Sequence, residues 1–272
     1  MKTLVRDAAS QKVKISIHPK VAAIFDAAFG MGLIWFFGQV VSAWWMLGIW
    51  IVVRIIWWVG LMRIVYYARA VRRIDHVRSL IVFQIGICCS MLFVDWSLSW
   101  YTWGTLFVLG SAVSFWLLPT LNSDLSFISK PHVRWCLMMT VIGIAGVWSG
   151  TAAVTVFYPF LNWIIAWIVA TIWTILVSLA WWRYYGAPQD KILLFWAVLM
   201  EIVLLQLSAI ILFWSVGFLI SGMVITWLWY LLWQLGRFYF APDGINWKKQ
   251  RFFLITNLIG LSAVIIFLAR WK

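Results

Sequence analysis

Residues 159–214 read PFLNWIIAWIVATIWTILVSLAWW-RYYGAPQDK-ILLFWAVLMEIVLLQLSAIILFW, two apolar runs of 24 and 23 residues around a nine-residue polar turn. A helix needs about 20 residues to cross the roughly 30 Å hydrocarbon core of a bilayer, so either run can span it. Neither run shows the period-two alternation of a membrane barrel strand. Backbone groups in lipid must also find their hydrogen bonds within the protein, which leaves a helix as the conformation for both.

Working outward from this pair, further runs of the same kind bring the expected spans to 21–41, 44–67, 80–98, 102–121, 135–157, 159–182, 192–214, 216–236 and 252–269. Of the 272 residues, 65% are hydrophobic and 11% charged. Soluble domains hold about 45–50% apolar and about 25% charged residues, so a water-soluble globular fold is excluded. A disordered chain is excluded for the same reason. The expected fold is an all-α polytopic membrane protein of about nine transmembrane helices, four outward-opening hairpins plus a C-terminal helix. Residues 1–20 form a basic tail and residues 21–272 one transmembrane domain, with hairpin units at 21–79, 80–134, 135–191 and 192–251. The apolar run starting at Val21 is longer than the ~7–15 residues of a signal h-region and reads as an uncleaved anchor.

The charges point in one direction. The formal net charge is +13, with 21 Lys and Arg against 8 Asp and Glu. Five polar segments, 1–20, 68–79, 122–134, 183–191 and 237–251, carry 17 of those 21 cations, whereas the alternate turns carry none. This is the positive-inside pattern, which places the tail and basic segments on the cytoplasmic face of the cell membrane. A ninth span sends Arg270 and Lys272 to the other face, against the trend, so a tilted or re-entrant last segment is the alternative. No basic segment is long enough to be a nucleic-acid-binding domain, and no nucleic-acid partner is expected. Membrane lipid, other membrane proteins or a second copy of the chain are the expected partners.

Short matches recur at near-constant spacing. His76-Val77-Arg78 returns 56 residues later as His132-Val133-Arg134, and Arg183-Tyr184-Tyr185-Gly186-Ala187-Pro188 returns 54 residues later as Arg237-Phe238-Tyr239-Phe240-Ala241-Pro242. One period is one hairpin with its cytoplasmic segment, so such repeats are parallel, unlike the inverted repeats of many transporters. Chance matches between segments of shared composition are the competing explanation.

Four ionisable residues fall within spans: Asp26, Arg54, Arg63 and Glu201. A charge at the bilayer centre costs about 2.5–3.5 kcal/mol on insertion scales, so each needs a partner or a function. At ~1.5 Å of rise per residue, Arg54 and Glu201 both lie roughly 14–15 Å deep, whereas Asp26 and Arg63 lie towards the cytoplasmic edge. Matched depth and opposite sign predict two pairs, a central Arg54–Glu201 couple and an Asp26–Arg63 couple. Trp50 and Trp58, four residues either side of Arg54, share its helix face and are placed to stack on the guanidinium. Ser208 extends the polar stripe of Glu201, while Gln206 points elsewhere. The central pair either fixes helix assembly or serves a transported solute or proton.

The 24 tryptophans exceed what interfacial anchoring needs. Trp96, Trp100, Trp103, Trp181, Trp182 and Trp247 fit interfacial belts, whereas Trp50, Trp148, Trp173 and Trp227 fall mid-span. Gap-filling between helices explains the second group better than a ligand pocket, because its members are spread over several helices. Gly146 and Gly150 form a GxxxG, with a weaker relative at Gly217–Ser221. Cys88, Cys89 and Cys136 have no metal-type spacing and read as buried apolar thiols. All three histidines, His18, His76 and His132, sit at the basic ends of spans, and an interfacial role is expected rather than a metal site. No cofactor is expected.

Enzyme signatures are absent from the sequence: there is no H-E-x-x-H, G-x-S-x-G or Gly-rich phosphate loop. Arg69, Arg72, Arg73, His76 and Arg78 are candidate contacts to lipid headgroups. The functional expectation is transport of a small solute, proton or lipid through a helical bundle. A structural or assembly subunit is the main alternative, and a lipid-active membrane enzyme a third.

Overall fold

The computed structural model describes residues 17–40, 44–65, 70–93, 97–118, 131–158, 163–185, 190–213, 217–240 and 247–268. Among these residues there are nine helices and no strands: α1 Pro19–Val40, α2 Trp44–Val65, α3 Ala70–Met91, α4 Ser97–Trp116, α5 Pro131–Phe157, α6 Trp163–Tyr184, α7 Asp190–Phe213, α8 Phe218–Tyr239 and α9 Trp247–Leu268.

The helix ends obey local chemistry. α1 and α5 open on Pro19 and Pro131, in the first helical turn, where the missing N–H has no intrahelical acceptor to lose. Arg63, Arg183 and Arg237 lie in the last turns of α2, α6 and α8, where a cation meets the negative end of the helix dipole. α8 begins after Gly217, whose φ of +80° is open to glycine and strained for other residues.

Eight of the nine helices are long and apolar enough to cross a membrane. The chain is a multi-pass helical membrane protein. The helix outside that set is α4, whose Ser97, Ser99, Thr102, Thr105, Ser111 and Ser114 dilute its apolar content. The last helix, doubtful on charge, qualifies over Gln250–Phe267. The one large boundary error concerns α3, expected from residue 80 and observed from Ala70. Hydropathy locates the bilayer, not the helix: Arg72, Arg73, Asp75 and Arg78 continue the α3 helix beyond the apolar stretch.

The described residues divide into two compact units, one comprising Met1–Ile81 and Gly104–Cys136, the other Val82–Trp103 and Leu137–Lys272. In the first, α1 packs on α2. Its core holds Trp50, Trp58, Met62, Phe107 and Phe115, with Trp50 edge-on to Phe107 at 5.5 Å. In the second, α6, α7, α8 and α9 pack as successive neighbours, a run that does not itself divide into hairpins.

Also in the second unit, the C-terminal half of α3 meets α5 glycine to glycine. A Cβ on Gly86 would strike the backbone of Gly143, and one on Gly146 the backbone of Gly86. The GxxxG glycine Gly146 therefore serves a contact within the chain. Trp148 of α5, Trp182 of α6 and Trp229 and Trp233 of α8 are fully buried. Trp182 donates to the Trp233 carbonyl at 3.2 Å, Trp229 to Ser178 Oγ at 2.9 Å and Trp227 to Asn257 Oδ1 at 3.1 Å. Trp181 and Trp182 are thus packed into the core, where their N–H groups find acceptors on neighbouring helices. Outward, α9 exposes Phe252, Ile259 and Phe267, a surface suited to lipid.

Candidate functional site

Each unit buries polar groups on a helical stripe. In the first unit, Ala22, Ala23, Asp26, Gly30 and Ile34 form the buried face of α1, and Trp50, Arg54, Trp58 and Met62 that of α2. Asp26 and Arg54 are both 0% exposed. Arg54 Nη1 lies 3.1 Å from Asp26 Oδ1, and Nη2 donates to Oδ2 at 3.3 Å. Trp57 and Trp58 donate their indole N–H groups to Oδ1 at 3.1 and 2.9 Å. Ser111 of α4 donates to Oδ2 at 2.6 Å and accepts from Arg54 Nη2 at 2.9 Å. The guanidinium also lies over the ring of Trp58 at 4.7 Å and that of Phe107 at 5.6 Å. Gly30 makes room for it, since a Cβ there would come within 3.1 Å of Nη1. Both carboxylate oxygens accept at least two donors, which makes this a closed ion pair.

The expected pairings are therefore corrected. Arg54 pairs with Asp26 rather than Glu201, and Arg63 is exposed on α2 while Arg54, Trp57, Trp58 and Ser111 surround Asp26. Residue counts give the depth of a Cα, but an arginine carries its charge several ångström away along a flexible stem. Stacking on Trp58, by contrast, follows the expected i, i+4 spacing.

A second polar cluster continues from Ser111 along α4. Ser114 donates to the Ser111 carbonyl, and its hydroxyl lies 2.7 Å from His76 Nε2. The Ser114 carbonyl accepts from His132 Nδ1 at 2.9 Å. The two imidazoles stand edge to face with centroids 4.6 Å apart. The matching His-Val-Arg triplets thus bring their histidines together. His76 is 2% exposed, so it is withdrawn from the headgroup contacts expected of it. Arg78 is exposed and pairs with Asp75 at 3.4 Å. Arg69 and the side chains of Arg72 and Arg73 lie outside the described residues.

In the second unit the buried stripe of α7 runs Leu193, Ala197, Met200, Glu201, Leu204, Ser208 and Ile211. Glu201 is 1% exposed, and neither of its carboxylate oxygens has a hydrogen-bond partner among the described residues. Ser208 shares this stripe and donates to the Leu205 carbonyl at 2.9 Å, while Gln206 faces outward. Gln84, on α3 in the same unit, is also buried, and both of its amide atoms lack partners among the described residues.

The sequence reading missed Ser111, Ser114 and Trp57 as members of the polar centres. Ser111 and Ser114 stand three apart on α4, a spacing that places both hydroxyls on one face. Comparison with known protein families, curated proteins and solved structures gives no match, and the functional reading rests on the chain's own residues.

Proposed function

We propose that this multi-pass membrane protein transports protons, alone or with a small solute, and that Glu201 is the group that takes up and releases the transported proton. One observation supports this above the others: Glu201 is buried at mid-helix, and both its oxygens lack a donor among the described residues. Intramembrane carboxylates are rare and costly, and one without a fixed partner needs a partner that comes and goes. A proton meets that need with the fewest demands on the surrounding space. The Asp26–Arg54 pair differs in kind. Its charges satisfy each other and its oxygens are occupied, so its part is to hold α1, α2 and α4 together. That closure favours, for the first unit, the second reading of a structural or assembly role. The lipid-enzyme reading loses His76 from its headgroup site. The protein is proposed to lie in the cell membrane with its N-terminus cytoplasmic, in contact with lipid and with other membrane proteins or a second copy along apolar faces such as that of α9.

The test uses the full chain in vesicles that enclose a pH-sensitive dye, with a potassium diffusion potential as the driving force. Wild-type vesicles should acidify or alkalinise with the potential, and Glu201→Gln should slow that flux at least tenfold, while Gln206→Ala leaves it unchanged. Flux no faster than in protein-free vesicles, or an undiminished Glu201→Gln flux, overturns the proposal.

A further inference from the structure

His76 and His132 share their cluster with a third ligand. Cys136 follows His132 by four residues on α5, and one ligand atom from each of His76, His132 and Cys136 lies within 4.8 Å of the other two. The lone-pair geometry is readable from the hydrogen bonds. The Ser114 carbonyl can only accept, so His132 Nδ1 carries the proton and Nε2 the lone pair. That Nε2 lies 3.7 Å from Cys136 Sγ. In a tetrahedral zinc site, Zn–N bonds near 2.05 Å and Zn–S bonds near 2.3 Å set the N-to-S edge at about 3.6 Å. Ser114 Oγ donates to the Ser111 carbonyl and lies 2.7 Å from His76 Nε2, which ties the second ring to the same residue. Ser114 thereby orients both rings, the part that outer-shell carbonyls and hydroxyls play around bound metals.

We propose that His76, His132 and Cys136 form a transition-metal site that takes zinc, held by two imidazoles and one thiolate with the fourth position open to water or a solute. Two nitrogens and a soft sulfur select late first-row ions over magnesium or calcium. Binding replaces the Cys136 thiol proton, which leaves to solvent as the Zn–S bond forms. The ion has a route in, because His132 is only half-buried whereas His76 and Cys136 are buried. The spacing His-x-x-x-Cys puts two ligands on one helical face, and α3 supplies the third.

The experiment takes the untagged full chain, strips it with a chelator, reloads it with limiting zinc and measures bound metal by elemental analysis. The expected result is about one zinc per chain. Cys136→Ser and His132→Gln should each lower the affinity at least tenfold, and the Cys88→Ser/Cys89→Ser double variant should bind as wild type does. Cobalt in place of zinc should give a thiolate-to-metal charge-transfer band in wild type that is lost in Cys136→Ser. Wild-type protein that keeps neither zinc nor cobalt overturns the site without reference to any variant's folding. So does zinc retained in full by a Cys136→Ser/His132→Gln double variant.

Discussion

Charge buried in lipid separates the side chains of this protein into two classes. Asp26 and Arg54 are mutually compensated, and removing either partner leaves the other uncompensated. Loss of one member of a buried pair costs about 3–5 kcal/mol, so Asp26→Asn and Arg54→Ala should sharply lower the unfolding midpoint in detergent. Replacing both, as in Asp26→Leu/Arg54→Met, should recover most of that loss, since apolar packing commonly equals a buried pair. Glu201 behaves oppositely. Glu201→Gln removes a buried carboxyl group with no hydrogen-bond partner among the described residues and should leave the midpoint unchanged or raised, even where it abolishes flux. Arg63→Ala, at an exposed position, should stay within about 0.5 kcal/mol of wild type, as surface substitutions usually do. A midpoint for Asp26→Asn equal to that of wild type contradicts the closed pair. All four intramembrane ionisable residues stand out in the sequence because their type is rare there. Their partners do not, because Ser111 lies 85 residues from Asp26 and no local pattern joins them.

Helices are the legible level of this chain. Among the described residues each of the nine apolar runs is helical, the conformation that satisfies a backbone in lipid. Where the apolar signal ends the reading fails, as in the charged first turns of α3, which stay helical beyond the greasy stretch. Helix neighbours are less legible still, because hairpin logic ties sequence order to contact. The approach of α3 to α5 skips α4 in sequence, and its marker is three small residues, Gly86, Gly143 and Gly146. A side chain at these positions meets backbone, which cannot rotate away. Gly86→Val and Gly146→Val should each cost about 1–3 kcal/mol or more, the ordinary range for overpacking, read as a lowered midpoint and a poorer yield. Gly48 and Gly60 of α2 have open space where a methyl group would sit, so Gly48→Ala and Gly60→Ala should be neutral or stabilise by up to about 1 kcal/mol. Equal losses at both sets of glycines contradict close α3–α5 packing.

At the scale of the whole molecule, the proposed topology is one in which all nine helices cross the bilayer and the basic segments share one face. Charge supports it, for 17 of 21 cations lie in alternate polar segments. The apolar exposed face of α9 supports it too, since Phe252 and Phe267 are 76% and 83% exposed and need lipid or a partner helix. The direct measurement is reporter location in intact cells, with tags placed in turn before Met1, within residues 94–96, within residues 241–246 and after Lys272. The first and third should report from the cytoplasm, and the second and fourth from the opposite side. A tag at 94–96 that shares the compartment of the Met1 tag would contradict the nine-span arrangement.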